Sequence, residues 1–202
     1  AAATGLLSPD FPANTLADDI ALMVVESENE VISLFTAEGF AEVTNSPQFA
    51  GTAATTPANR IAIYWKRLVG GDAVPTVNDS GNHTTGQIHV FRGVRTTGNP
   101  WNITAGGNDG GANDTSGVVP GATTTVANCL VVLVCGSSFN GTSTAQFASW
   151  TNADLATLTE RTDNTNTAGV GGGHGMATGE KASSGAYGST TVTLANTSFK
   201  GA

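Results

Sequence analysis

Three glutamates, Glu26, Glu28 and Glu30, occupy alternate positions in "VESENEV". In an extended chain their carboxylates would stand about 7 Å apart on one face. That lies between the carboxyl separations of retaining and inverting glycosidases. A working pair must flank the scissile bond from opposite sides, which takes two different strands. The trio therefore reads as a solvated turn between the apolar runs "IALMVV" and "VISLF". A carbohydrate-active enzyme would have to draw on Glu26, Glu28 or Glu42 with Asp154, and nothing in their spacing assembles them.

The glycine-rich stretch "GVGGGHGMATGEK" (169–181) nearly spells a nucleotide loop but fails at the residues that matter. A Walker loop needs Gly-Lys-Ser/Thr, whereas Glu180 separates Gly179 from Lys181 and Ala182 replaces the hydroxyl. The dinucleotide fingerprint fails at Thr178, and no βαβ unit surrounds it. In "GGNDGGANDTSG", Asp109 and Asp114 are the residue types a calcium ion takes. Neither a recurring nonapeptide nor a helix-flanked twelve-residue loop accompanies them, so the segment reads as a flexible loop. His83, His89 and His174 are scattered without a zinc-ligand spacing, and "GSSFNG" does not form a nucleophile elbow. The chain reads as non-enzymatic, with no catalytic residue, no cofactor and no metal ligand.

Bulk properties narrow the partners. Of 202 residues only 12% are charged, and the formal net charge is −8. That balance opposes a phosphate backbone, whose binding rests on lysine and arginine displacing counterions, so nucleic acid is not an expected partner. The longest apolar runs are far shorter than the roughly 20 residues that cross a bilayer, so no membrane is expected either. The opening "AAATGLLSPDFPANTLADD" lacks the basic and apolar segments of a signal peptide. Cys129 and Cys135 lie in one apolar run, about 20 Å apart if it is a strand at ~3.3 Å per residue. They are too distant to bond and read as small buried hydrophobes, a pattern that fits assembly in a reducing cytosol.

The positioning elements read as strands. Residues 1–17 mix Leu6, Leu7 and Phe11 with Pro9 and Pro12 and form an extended arm. "IALMVV" is apolar at both parities, as in a strand covered on both faces, and a hairpin to "VISLF" is plausible. "AGTAATTPAN" is a loop by composition. In "RIAIYWKR", Ile61, Ile63 and Trp65 share a core face while Ala62, Tyr64 and Lys66 share a wetter one. Residues 96–121 form a long loop around Trp101, and loops of this length carry function or contacts. "CLVVLVC" is the most buried-looking strand, and Leu155 and Leu158 sit in either a helical turn or a bent strand. A glycine tract inside a sheet marks close approach or bending, so "GGGHGMATGEKA" is expected to pair with "AYGSTTVTL", its glycines facing the domain's own aromatics or a neighbouring chain. The fold class expected is all-β, a single antiparallel β-sandwich of jelly-roll kind spanning 18–202, preceded by the arm at 1–17.

Several phrases in order, "DDIALMVVESENEVISL", "GFAEVTNSPQ", "RIAIYWKR", "PTVNDSGNHTTGQIHVFRGV", "SWTNADLATLTERTDN" and "GHGMATGEKASSGAYGSTTVTLAN", resemble a widespread family of tailed-bacteriophage proteins found among virion structural genes. The likeness runs from about residue 18 to the end and carries no catalytic residue. It implies a β-rich component of the virion, assembled in the bacterial host cytoplasm. The expected role is a capsid decoration (cement) protein that binds the major capsid protein and its own copies, or a part of the tail. An apolar arm that cannot fold alone suits docking on a neighbour, so Leu6, Leu7, Phe11 and Trp101 are the expected interface residues. The alternative is a glycan-binding module of a tail appendage, with Trp101, Trp150 or Tyr187 stacking on sugar.

Overall fold

The structure, a computed structural model, describes residues 1–55, 57–109 and 113–202. Among these there is no helix, and sixteen strands carry the fold. The first eight are β1 (Ala2–Ala3), β2 (Ile20–Ser27), β3 (Leu34–Thr36), β4 (Ala41–Glu42), β5 (Gln48–Ala50), β6 (Asn59–Arg67), β7 (Thr76–Val77) and β8 (Thr84–Phe91). The remainder are β9 (Asp114–Val119), β10 (Ala122–Thr124), β11 (Cys129–Ser137), β12 (Phe147–Thr151), β13 (Ala156–Asn166), β14 (Gly172–Lys181), β15 (Gly185–Tyr187) and β16 (Thr190–Ser198).

All pairings are antiparallel. A first sheet runs β1-β8-β2-β6-β4, with β5 also on β6; a second runs β11-β14-β13, and a third β12-β16-β9. Two ribbons, β3–β7 and β10–β15, complete the set.

Side-chain parity stacks these sheets. From β2, Ala21, Met23 and Val25 enter a core with Ala62, Tyr64 and Ile88 on the outer face of the first sheet. Val24 and Ile61 point the other way and meet Val134 and Met176 between the first and second sheets. Val131, Leu133 and Cys135 of β11, with Ala177 of β14, then pack on Phe147, Val192 and Leu194 of the third sheet. The first and second sheets are thus covered on both faces. That is why "IALMVV" and "CLVVLVC" are apolar at both parities, and why the Ala62 and Tyr64 face of β6 is core rather than wet.

The glycine strand lies elsewhere than expected. β14 is the centre of the second sheet, between β11 and β13, and "TTVTLANTS" pairs with β12 and β9 instead. Its glycines do mark close approach: a methyl at Gly175 would run into the Phe147 ring, and one at Gly179 would touch Leu155. No hairpin joins β2 to β3, because β6 and β8 already occupy both edges of β2; β3 pairs with β7. Leu155 and Leu158 sit in a bent strand entry, with Thr157 at φ 48° and a bulge between Ala156 and Thr159. The expected 96–121 loop contains β9, which the exposed, threonine- and serine-bearing side of that strand conceals in the sequence. Thr56 of the "AGTAATTPAN" loop and residues 110–112 of the "GGNDGGANDTSG" segment lie outside the described residues.

The arm is extended but not free. β1 pairs with the start of β8, and Leu7 exchanges backbone hydrogen bonds with Val77 at 3.1 and 2.8 Å. Leu7 is buried in the outer core of the first sheet, and Phe11 stacks on Phe40 with ring centroids 6.2 Å apart.

Candidate functional site

The groups with most chemical potential are interior. Glu26 and Glu28 are not a solvated turn: they are 0% and 2% exposed. β2 continues through Ser27, so Glu26 falls on the same face as Val24 and points between the first two sheets. There His83 Nε2 lies 3.0 Å from Glu26 Oε2, and Asn59 Nδ2 donates to Oε1 at 2.8 Å. Glu28 Oε2 accepts from Asn82 Nδ2 at 2.6 Å, and Asn82 Oδ1 accepts from the Val170 amide at 3.0 Å. From the second sheet Gly172 closes over the pair; a Cβ there would lie 2.6 Å from both Glu26 carboxylate oxygens and 2.5 Å from His83 Nε2. The turn before it needs Gly169 and Gly171 at φ 56° and 74°. The opening of the glycine tract thus seats the second sheet on a buried acid–base pair.

Burial pushes the Glu26 carboxyl up to about 7, against the pull of His83 and Asn59. Burial works against the charged form of His83, yet the Glu26 hydrogen bond and charge, with Glu28, hold its pKa above the ordinary value. Both shifts favour keeping a proton on the pair. Since Glu26 and His83 are wholly buried, no substrate of ordinary size reaches them. What this arrangement can do is hold a proton and tie strands β2, β6 and β8 to β14.

The other histidines form a second interior group. His89 and His174 meet edge to face with centroids 6.3 Å apart. His89 Nε2 and both nitrogens of His174 are buried without hydrogen-bond partners among the described residues. Burial drives them down to about 4 and about 3, with His89 also lowering His174. An open recess of about 410 Å³ beside His89 is bordered by Phe91, Arg161, Met176 and Thr178. Arg161 is tied down there, donating from Nε to Thr178 Oγ1 at 2.8 Å. Among the described residues no cluster of three metal-ligating side chains occurs. Asp109 and Asp114, the calcium candidates, converge on the Lys200 ammonium at 2.6 and 2.7 Å. Glu42 and Asp154 are exposed, accepting from Ser46 Oγ at 3.0 Å and from the Gly188 amide at 2.8 Å.

The four expected interface residues separate. Leu7 closes its own core, Phe11 is half-buried, and Trp101 is half-buried edge-on to Trp65 at 4.8 Å. Leu6 stands out at 56% exposure. Trp150 stacks on Phe147 at 6.1 Å and donates to Glu160 at 3.1 Å, while Tyr187 is half-buried in β15. The sequence singled out neither Asn59 nor Lys200 and gave His83 no partner, each being separated from its partner by at least 33 positions along the chain. Also missed was Phe35, exposed in β3 beside the arm. Comparison with models of protein families, with curated proteins and with solved structures finds no match for this chain.

Proposed function

We propose that the chain is a non-enzymatic structural component of a tailed-bacteriophage virion, a capsid decoration (cement) protein that binds the major capsid protein and its own copies. One observation carries this reading: the outermost layer turns large apolar side chains to solvent while the polar chemistry is sealed inside. Val77 of β7 sits between Leu7 of the arm and Leu34 of β3, all three facing inward. Leu6, next to Leu7 on the arm, and Phe35, at the bulge that follows Leu34, both reach solvent. They are 56% and 65% exposed, and Val31 nearby in sequence is 72% exposed. Large apolar side chains exposed close together mark a binding face. On this reading the stacked sheets serve as a jelly-roll-like sandwich thickened by an extra layer, a stiff platform for that face.

The test is co-sedimentation of the purified chain with capsid shells of the phage that encodes it. Wild-type protein pellets with the shells, and Leu6→Asp with Phe35→Asp weakens binding by about tenfold or more, the effect of losing an apolar anchor. Unchanged binding by a folded double variant would remove this face from the interface. No binding by the wild type, with retention on a glycan array, would replace the proposal with the glycan-binding reading.

A further inference from the structure

We infer that Lys200 and Asp109 are the reacting partners of an intramolecular isopeptide bond, with Asp114 as the proton carrier. Lys200 comes from the far end of the chain, 86 positions from Asp114, and meets two aspartates of one segment, with Asp109 buried beside it and Asp114 at the rim. Lys200 is 1% exposed, with Nζ 2.6 Å from Asp109 Oδ2 and 2.7 Å from Asp114 Oδ1. The Asp109 side chain is 8% exposed, and its Oδ1 is buried without a hydrogen-bond partner among the described residues. A buried carboxylate normally has both oxygens satisfied. This one is held against an amine instead.

The lysine has little freedom to leave. Gly201 donates its amide to Asn59 Oδ1 at 3.1 Å and accepts from the Gly136 amide at 2.8 Å. Gly107 and Ala202 exchange backbone hydrogen bonds at 2.7 and 2.8 Å. The lysine stem passes over Gly117, where an added Cβ would lie 3.4 Å from Lys200 Cδ, 3.3 Å from Cys135 Sγ and 2.7 Å from Val192 Cγ1. Held so close, the reaction is effectively unimolecular.

The two acids are set apart in role. Burial raises the Asp109 carboxyl, the lysine opposes that, and Asp114 adds to it. Asp114, half exposed, is lowered by its hydrogen bonds from Lys200 and the Ser116 amide. Environments that push two carboxyls apart in this way mark an acid and a base. Asp114 takes a proton from the Lys200 ammonium, and the freed lone pair attacks Asp109 Cγ. The Nζ–Cγ bond forms and one Cγ–O bond breaks. Two protons from nitrogen, one relayed by Asp114, leave with that oxygen as water. An ammonium and a carboxylate thus become a neutral amide and one water, with no oxidant, reductant or co-reactant. The exchange also removes a buried ion pair, whose desolvation is costly.

The experiment is mass spectrometry of the purified full chain under denaturing conditions, followed by trypsin mapping. The expected mass is one water below that of the linear sequence. The peptide spanning 96–161 should be joined to the one beginning at Ala182, with no cleavage after Lys200. Lys200→Arg and Asp109→Ala should restore full mass, and Asp114→Asn should slow the loss. Full mass in the wild type would overturn the inference. So would a water loss that persists in Lys200→Arg, which would place a cyclic imide at Asp109–Gly110 instead. The wild-type map decides the matter even if a variant fails to fold.

Discussion

Glu26 illustrates how one side chain's meaning depends on where a strand stops. Ending β2 at Val25 leaves three alternating glutamates in a turn; carrying it two residues further turns Glu26 inward, between sheets, where only a partner makes it tolerable. The signal was present in its parity with Leu22 and Val24. Its partners were not legible, because His83 lies 57 positions away. Removing that partner by His83→Leu leaves the buried carboxyl with Asn59 alone and should cost about 3–5 kcal/mol at pH 7, read by urea denaturation. The cost should shrink as pH falls, because without His83 to pull it down the Glu26 carboxyl is raised further and takes up its proton more readily. Gly172→Ala tests the same contact from the opposite sheet. With no room beside Glu26 and His83, it should destabilise by about 1–3 kcal/mol, as overpacking does.

Among the elements, β2 and β11 were readable because a run apolar at both parities has few places to go except between two layers. β14 was readable as a strand but not in its pairing: glycines carry no side-chain pattern, so nothing local distinguishes β11 and β13 from β16 as neighbours. β9 was hidden because four of its six residues face solvent, three of them polar. The arm was recognised as extended, while its attachment to Val77 depended on a two-residue strand that sequence alone does not mark. That attachment makes Leu7 a core residue. Leu7→Ala should lower stability by about 2–5 kcal/mol, measured by denaturant unfolding, whereas Leu6→Asp should leave it within about 0.5 kcal/mol. Deleting residues 1–17 would therefore confuse unfolding with loss of docking, and the point substitutions separate the two.

The assembled molecule has a stability profile with two opposing limbs. His89 and His174 are lowered to about 4 and about 3, so their contribution is complete above the unfolded value of 6.5 and is lost as pH falls toward those values. Glu26, raised from 4.5 to about 7, contributes fully below 4.5, and that contribution is lost as pH rises through 7; His83, also raised, acts in the same sense. His174→Met should accordingly flatten the acid limb and Glu26→Gln the opposite one, each seen as a change in the pH dependence of the urea midpoint. These groups lie at the seam between the first and second sheets, so the pH dependence should report how firmly those layers hold together. The most direct test of the proposed virion role is the copy number of this chain in purified tailed-phage particles, by quantitative mass spectrometry against the major capsid protein. A decoration protein should be present in hundreds of copies per particle; absence from the particle would contradict the account.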